Sequence, residues 1–238
     1  MIICLRKKWF SYAAIICVAL VLTIGILGVR KKAPLTVFAP HHFTETTFII
    51  DPGHGGEDGG AISISGKVES DINLAVSLRL DALLHFYGAN TMMTRTTDIS
   101  LHDPTALSLR EKKVSDIHNR VDMIESVENA TLISIHQNSY PEQKYRGMQV
   151  FYANEDISLP LAQHIQENVR LILDSTNNRK AAKIPNSVYL MNHISCRAVL
   201  VECGFLSNPT DDQLLQEETY QTKVAFAIAA ACLNEENL

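Results

Sequence analysis

The sequence predicts an α/β domain on a largely parallel sheet, preceded by a membrane anchor. Two observations predict the domain: from residue 46 onward short apolar runs alternate with stretches of helical periodicity, and those stretches are long enough to cross over between parallel strands. A third predicts the anchor. Trp9 to Val29 carries no charged side chain over 21 residues, and at a rise of about 1.5 Å per residue this spans the roughly 30 Å hydrocarbon core of a bilayer.

The chain thus divides into an anchor (1–29), a linker (30–45) and a globular domain (46–238). A cleavable signal peptide fits less well, because secretory apolar regions run about 7–15 residues and no A-x-A-like site precedes "VRKKAP". Arg6, Lys7 and Lys8 on one flank are matched by Arg30, Lys31 and Lys32 on the other, so flanking charge does not set the orientation. The chemistry described below places the domain outside.

Taken in order, "TFIID" (47–51) reads as a strand. A helix follows over "ESDINLAVSLRLDALLHFY", with Ile72, Val76, Leu80, Leu83 and Tyr87 on its apolar side and Ser70, Asn73, Ser77 and Asp81 on the other. "NTMMTR" is a strand, residues 97–109 form a loop, and a helix runs from about Glu111 to Val127. "TLISIH" (131–136) and "GMQVFYA" (147–153) are strands, with a helix from Leu159 to Leu173 after them. "SVYL" (187–190) and "AVLVE" (198–202) read as the last strands. Two helices close the chain, one starting near Asn208 and one over Tyr220–Leu233.

Without residues 1–29 the chain keeps 18 basic against 26 acidic side chains, a net charge of −8 that repels phosphate backbones and argues against nucleic acid as a partner. Cys196, Cys203 and Cys232 remain outside the apolar segment. Their odd number and irregular spacing fit neither a disulfide framework nor a CxxC zinc site.

Three apolar runs end alike: "FIIDPGH" in His54, "LISIH" in His136 and "AVLVE" in Glu202. If these strands are parallel, all three side chains leave at the carboxyl edge, where open α/β sheets bind ligands. Glu69 starts the helix after the first strand and so returns to the same edge. Two imidazoles and a carboxylate around an open position make a catalytic zinc shell, and a second carboxylate can take the proton of an attacking water. Asp51-Pro52-Gly53 supplies the turn that swings His54 over the strand end, and Gly55 and Gly56 keep side chains away from it.

Each residue also has a plainer reading. Glu69 in a first helical turn meets the helix dipole, worth about 0.3–1 kcal/mol, and His136 can be an edge histidine. A carboxylate after "AVLV" is costly to bury without a partner, which makes Glu202 the most telling of the four. His193 is a spare ligand candidate, and Glu57 and Asp58 lie near enough to His54 to compete with Glu69 for a metal, although their place in a glycine turn favours orienting the loop. Cys203 beside Glu202 allows a cysteine hydrolase with His136 as base, although a free cysteine after an apolar strand is more often core. Arg120 is either a packing and ion-pair residue or a contact for an anionic substrate, and Asn138 is a second candidate substrate contact.

The blocks "IIDPGHGGEDGGA", "ESDINLA", "MTRTTD", "RVDMIESVENATLISIHQNS", "GMQVFY" and "AVLVECGFLSNPTDDQLL" occur in that order. Together, over about residues 47–235, they resemble the zinc-dependent N-acetylmuramoyl-L-alanine amidases of bacterial cell-wall turnover. The resemblance implies a mixed sheet of about six strands, one zinc ion held by His54, Glu69 and His136, and Glu202 as the catalytic glutamate. It implies cleavage of the amide between N-acetylmuramic acid and L-alanine in peptidoglycan. The compact anchored chain and the loop before Arg120 resemble the spore-forming branch that trims cortex peptidoglycan for germination. Wall-binding repeats and an inserted blocking helix, found in other branches, are lacking, so the membrane segment is the expected targeting device. A non-catalytic peptidoglycan-binding protein is the remaining alternative, and an activator partner is not readable from the sequence.

Overall fold

The computed structural model describes residues 46–234. The expected anchor and linker lie outside these residues. Among the described residues no helix is long and apolar enough to cross a membrane.

Six strands form one sheet: β1 (Thr47–Pro52), β2 (Asn90–Met93), β3 (Ala130–Asn138), β4 (Gln149–Tyr152), β5 (Ala182–Lys183) and β6 (Arg197–Phe205), in the order β2-β1-β3-β6-β4-β5. The pairs β1–β2, β1–β3, β3–β6 and β4–β5 are parallel, and β4 runs antiparallel to β6. The sheet is therefore mixed and largely parallel, as expected. The central strands β1, β3 and β6 are apolar runs because helices cover both faces.

On one face Phe48, Ile50, Ile133, Ile135, Val199 and Val201 pack under helices α1 (Glu69–Phe86), α3 (Glu155–Asn168) and α6 (Glu218–Asn234). On the other, Ile49, Leu132, Ala198 and Leu200 meet α2 (Leu109–Glu125) and the short α4 (Tyr189–Asn192). Helix α5 (Pro209–Leu215) follows β6. Strand alternation then sends Asp51, Ser134, His136 and Glu202 to the α2 side of the sheet, since they keep step with Ile49, Leu132 and Leu200.

Two local expectations are corrected. "SVYL" is not a strand: Leu190 and Met191 are consecutive and both buried, which a helical turn permits and alternation does not. Helix α3 begins at Glu155, because the Asn154 side chain caps the Asp156 N–H, and a π-helical turn over Val169–Leu173 ends it. The polar side of α1 is itself largely buried, as Ser70, Asn73 and Ser77 all show.

Candidate metal and catalytic site

The β1–β3 ladder continues one residue past β1, through the Gly53 N–H to the Ile135 carbonyl (3.0 Å). The chain then turns and places His54 at φ 63°, a left-handed conformation that costs a non-glycine residue on the order of 1–3 kcal/mol. Gly53 is required here: a Cβ on it would lie 2.2 Å from His136 Nε2. Gly60, at φ 71°, is required for the same reason, as its Cβ would lie 2.5 Å from Glu69 Oε2 and 2.7 Å from His54 Cδ2.

Glu69 is the first residue of α1, whose leading N–H groups are capped by backbone rather than by a side chain: Glu69 donates to the Ala61 carbonyl (2.9 Å) and Ser70 to the Gly59 carbonyl (3.0 Å). The glycine loop after His54 is thus folded directly onto the start of α1. Glu69 Oε1 lies 3.4 Å from His54 Nε2 and 3.0 Å from His136 Nδ1. A bulge in the β3–β6 register between His136 and Asn138 frees the Gln137 N–H, which donates to Glu69 Oε1 at 3.1 Å. Ala61 donates to Oε2 at 2.9 Å.

His54, Glu69 and His136 each present one ligand atom, all within 4.8 Å of one another. Two imidazole nitrogens and one carboxylate oxygen suit zinc, whereas magnesium and calcium take oxygen sets. The glycine cradle leaves the cluster free of neighbouring Cβ atoms. These residues fit a zinc ion.

Glu202 stands beside His136 in register on the same sheet face. Its Oε2 is buried and has no hydrogen-bond partner. Burial pushes its carboxyl up to about 7; His136 and His54 pull it down, and Glu69 adds to the rise. A carboxyl at that value can accept and return a proton near neutrality. His54, Asp58, Lys113, His136, Tyr189 and Glu202 line one cleft of about 240 Å³.

Burial works against a charged His54, but hydrogen bonds and charge from Asp58 and Glu69 outweigh it and raise the ring to about 9. Burial likewise opposes a charged Glu69, yet His136 and His54 hold its carboxyl far below the usual range. The sequence reading set Asp58 aside as a loop-orienting residue. Its Oδ2 lies 3.0 Å from His54 Nδ1, leaving Nε2 directed at Glu69, and its Oδ1 pairs with Lys113 at 2.8 Å. Glu57 is turned to Lys112.

The spare ligand His193 stacks on Tyr189, ring centroids 3.7 Å apart, and stays outside the cluster. Cys203 does not fit the cysteine-hydrolase alternative. It alternates with Glu202 to the opposite sheet face, is fully buried in the α1-side core, and burial pushes its thiol well up. The anionic-substrate reading of Arg120 is corrected too: only 2% exposed, its guanidinium is committed to Asp51, Asp116 and the carbonyls of Pro52 and His54.

Sequence reasoning missed Asn73 and Gln137. Asn73 Nδ2 donates to Glu69 Oε1 (3.3 Å) and to the Gly53 carbonyl (3.1 Å), and Gln137 Nε2 donates to Asn73 Oδ1 (3.1 Å). The i,i+4 spacing of Glu69 and Asn73 was the available signal.

The α/β sheet carries at its carboxyl edge a His-Glu-His cluster beside a buried carboxyl, the parts of a metal-assisted hydrolase. Residues 48–234 match the N-acetylmuramoyl-L-alanine amidase family, and the chain belongs to that family. A germination-specific N-acetylmuramoyl-L-alanine amidase of Bacillus subtilis (strain 168) is 40% identical over 185 residues, covering 75% of each chain. The solved CwlD amidase from Clostridioides difficile, in complex with the GerS lipoprotein, has a TM-score of 0.77 at 37% identity and covers 80% of this chain and 98% of that one. The amidase AmiC2 of Nostoc punctiforme gives a TM-score of 0.68 at 30% identity, covering 81% of this chain and 98% of that one.

Proposed function

We propose that this amidase uses one zinc ion, held by His54, Glu69 and His136, with Glu202 as general base and acid, to split the amide joining N-acetylmuramic acid to L-alanine in peptidoglycan. The buried, unpartnered Oε2 of Glu202 beside the His-Glu-His cluster carries this reading. A buried carboxylate oxygen without a partner is costly, and a reacting water is a fitting occupant. Zinc at the cluster supplies a Lewis acid that polarises the lactyl carbonyl and acidifies a water.

Glu202 takes the proton of the water as its oxygen adds to the carbonyl carbon. It then delivers that proton to the departing nitrogen as the carbon–nitrogen bond breaks. The products are the lactyl carboxylic acid, which gives its proton up to the amine or to solvent, and the released amino group of L-alanine. Asp58 holds His54 in one tautomer throughout, and Asn138, half-buried at the end of β3, is the proposed substrate contact.

The similarity to a germination-specific relative supports a role in spore cortex peptidoglycan. The uncharged stretch Trp9–Val29 supports tethering at the membrane, and a peptidoglycan substrate supports a domain that faces the wall. The complex of the CwlD relative with the GerS lipoprotein supports a lipoprotein partner for this enzyme as well.

Purified peptidoglycan digested with the protein, followed by identification of the new end groups, tests the reaction. New L-alanine amines are expected. New reducing sugar ends, or amines on other residues alone, would overturn the assignment.

A further inference from the structure

We infer that Arg95 and Arg120 are positioning residues for the metal: together they grip three successive carbonyls, Pro52, Gly53 and His54, and so set where the His54 ring stands. This rests on the reading that His54 is a zinc ligand. Arg95 Nε donates to the Pro52 carbonyl (3.0 Å) and Nη2 to the Gly53 carbonyl (3.1 Å). Arg120 Nη1 donates to the same Pro52 carbonyl (3.0 Å), and Nη2 to the His54 carbonyl (2.8 Å).

Both side chains are buried, 2% exposed in each case. Two buried guanidinium groups sharing one carbonyl repel each other, and burial together with Arg120 lowers the affinity of Arg95 for its proton. The arrangement is tolerable because Asp51 and Asp116 pair with Arg120, with Thr94 and Ser134 in turn donating to Asp51. A cheaper way to build a core exists at every one of these positions, since apolar residues of like volume pack without desolvating charge. What the charged version supplies is a set of fixed donors at a backbone segment that has no side chain of its own to hold it at Gly53.

That segment needs holding. His54 occupies a left-handed backbone conformation with glycine on both sides, and such a residue keeps its conformation only where its surroundings over-determine it. Arg95 does more than brace the loop. Its Nη2 also donates to the Ser70 carbonyl (3.0 Å), in the first turn of α1 next to Glu69. One guanidinium therefore ties the segment carrying His54 to the helix start carrying Glu69, and fixes the spacing of two ligands that lie fifteen positions apart in the chain. Arg120 ties the same loop to α2, and through Asp51 to the sheet strand next to β3. The planar five-donor fork suits this bridging, whereas the single nitrogen of lysine does not reach two carbonyls in fixed directions.

Arg95→Lys and Arg120→Lys test the inference, with Arg79→Lys, which lies along α1 and bonds to the Ala75 carbonyl, as the control. Zinc affinity is measured by competition with a chromophoric chelator, alongside thermal unfolding of each protein without metal. The expected result is cooperative metal-free unfolding in at least one of the two variants, with zinc affinity weakened about tenfold or more, the scale seen for groups that orient metal ligands. The control keeps wild-type affinity. A folded variant whose affinity stays within about twofold of wild type, well below that scale, would overturn the inference while leaving the zinc reading intact. Loss of the cooperative transition in both variants would make the pair purely structural and overturn it too. A wild-type protein that takes up no zinc would sink the underlying reading first, and the inference with it.

Discussion

His136 and Glu202 stand side by side in the parallel register of β3 and β6, on the same face of the sheet. One belongs to the His-Glu-His cluster and the other keeps a buried oxygen without a partner. Adjacent strands thus deliver an imidazole of that cluster and the Glu202 carboxyl to one cleft.

The substitution Glu202→Gln preserves the shape of that arrangement and removes only the proton acceptor. The variant is expected to bind zinc as the wild type does and to lose about 10²–10⁴-fold in turnover of muropeptides, the range for a general acid–base group. Parallel zinc analysis and steady-state kinetics separate the two effects. Wild-type turnover by the variant would remove Glu202 from the role of base.

Glycine positions separate cradle from plain turn. In Gly60→Ala the new Cβ meets Glu69 Oε2 and His54 Cδ2, so zinc content should fall. Gly66 also has a positive φ, 86°, but nothing lies within 4 Å of its would-be Cβ. Gly66→Ala should therefore lose stability through backbone strain while keeping its zinc. Equal zinc content in both variants would contradict the cradle.

Zinc binding should release a proton. Burial opposes the charged His54 ring, but Asp58 and Glu69 raise it from 6.5 to about 9 without metal, and zinc requires the neutral ring. Affinity should rise as pH goes from 6.5 toward 9. Titration calorimetry in buffers of different ionisation enthalpy measures the proton directly. An affinity flat over that range, with no buffer dependence, would contradict the expectation.

The Asp51–Arg120 pair should govern acid stability. Burial pushes Asp51 up, but Arg120, Thr94 and Ser134 more than offset this and hold its carboxyl below the usual value. Its contribution is therefore complete above about pH 4, the ordinary aspartate value, and is lost as pH falls through the lower folded value. Asp51→Asn, which leaves Arg120 short of a counter-charge, should cost about 3–5 kcal/mol at neutral pH and flatten the acid limb of stability against pH. Chemical denaturation at several pH values checks both.

The architecture and the four central residues were legible because each depends on local pattern. Apolar runs closing in His54, His136 and Glu202 mark strand ends, and a helix starting at Glu69 returns to the same edge. What stayed hidden depends on contacts distant in sequence. Arg120 is an ordinary helical arginine until Asp51 is placed beneath it, sixty-nine positions away. Ser70, Asn73 and Ser77 read as a plain polar stripe, yet all three are buried, Asn73 against the Gly53 carbonyl and Glu69. The two-residue β5 is too short to carry any period, and "SVYL" alternates in sequence while Leu190 and Met191 are buried together.

The most direct test is the zinc content of a fully active purified sample, read by atomic emission against protein concentration. The account predicts one ion per chain, held by a three-residue shell of the catalytic type, with activity lost on its removal and restored on its return. A preparation that releases L-alanine amines at full rate with no bound metal would contradict it.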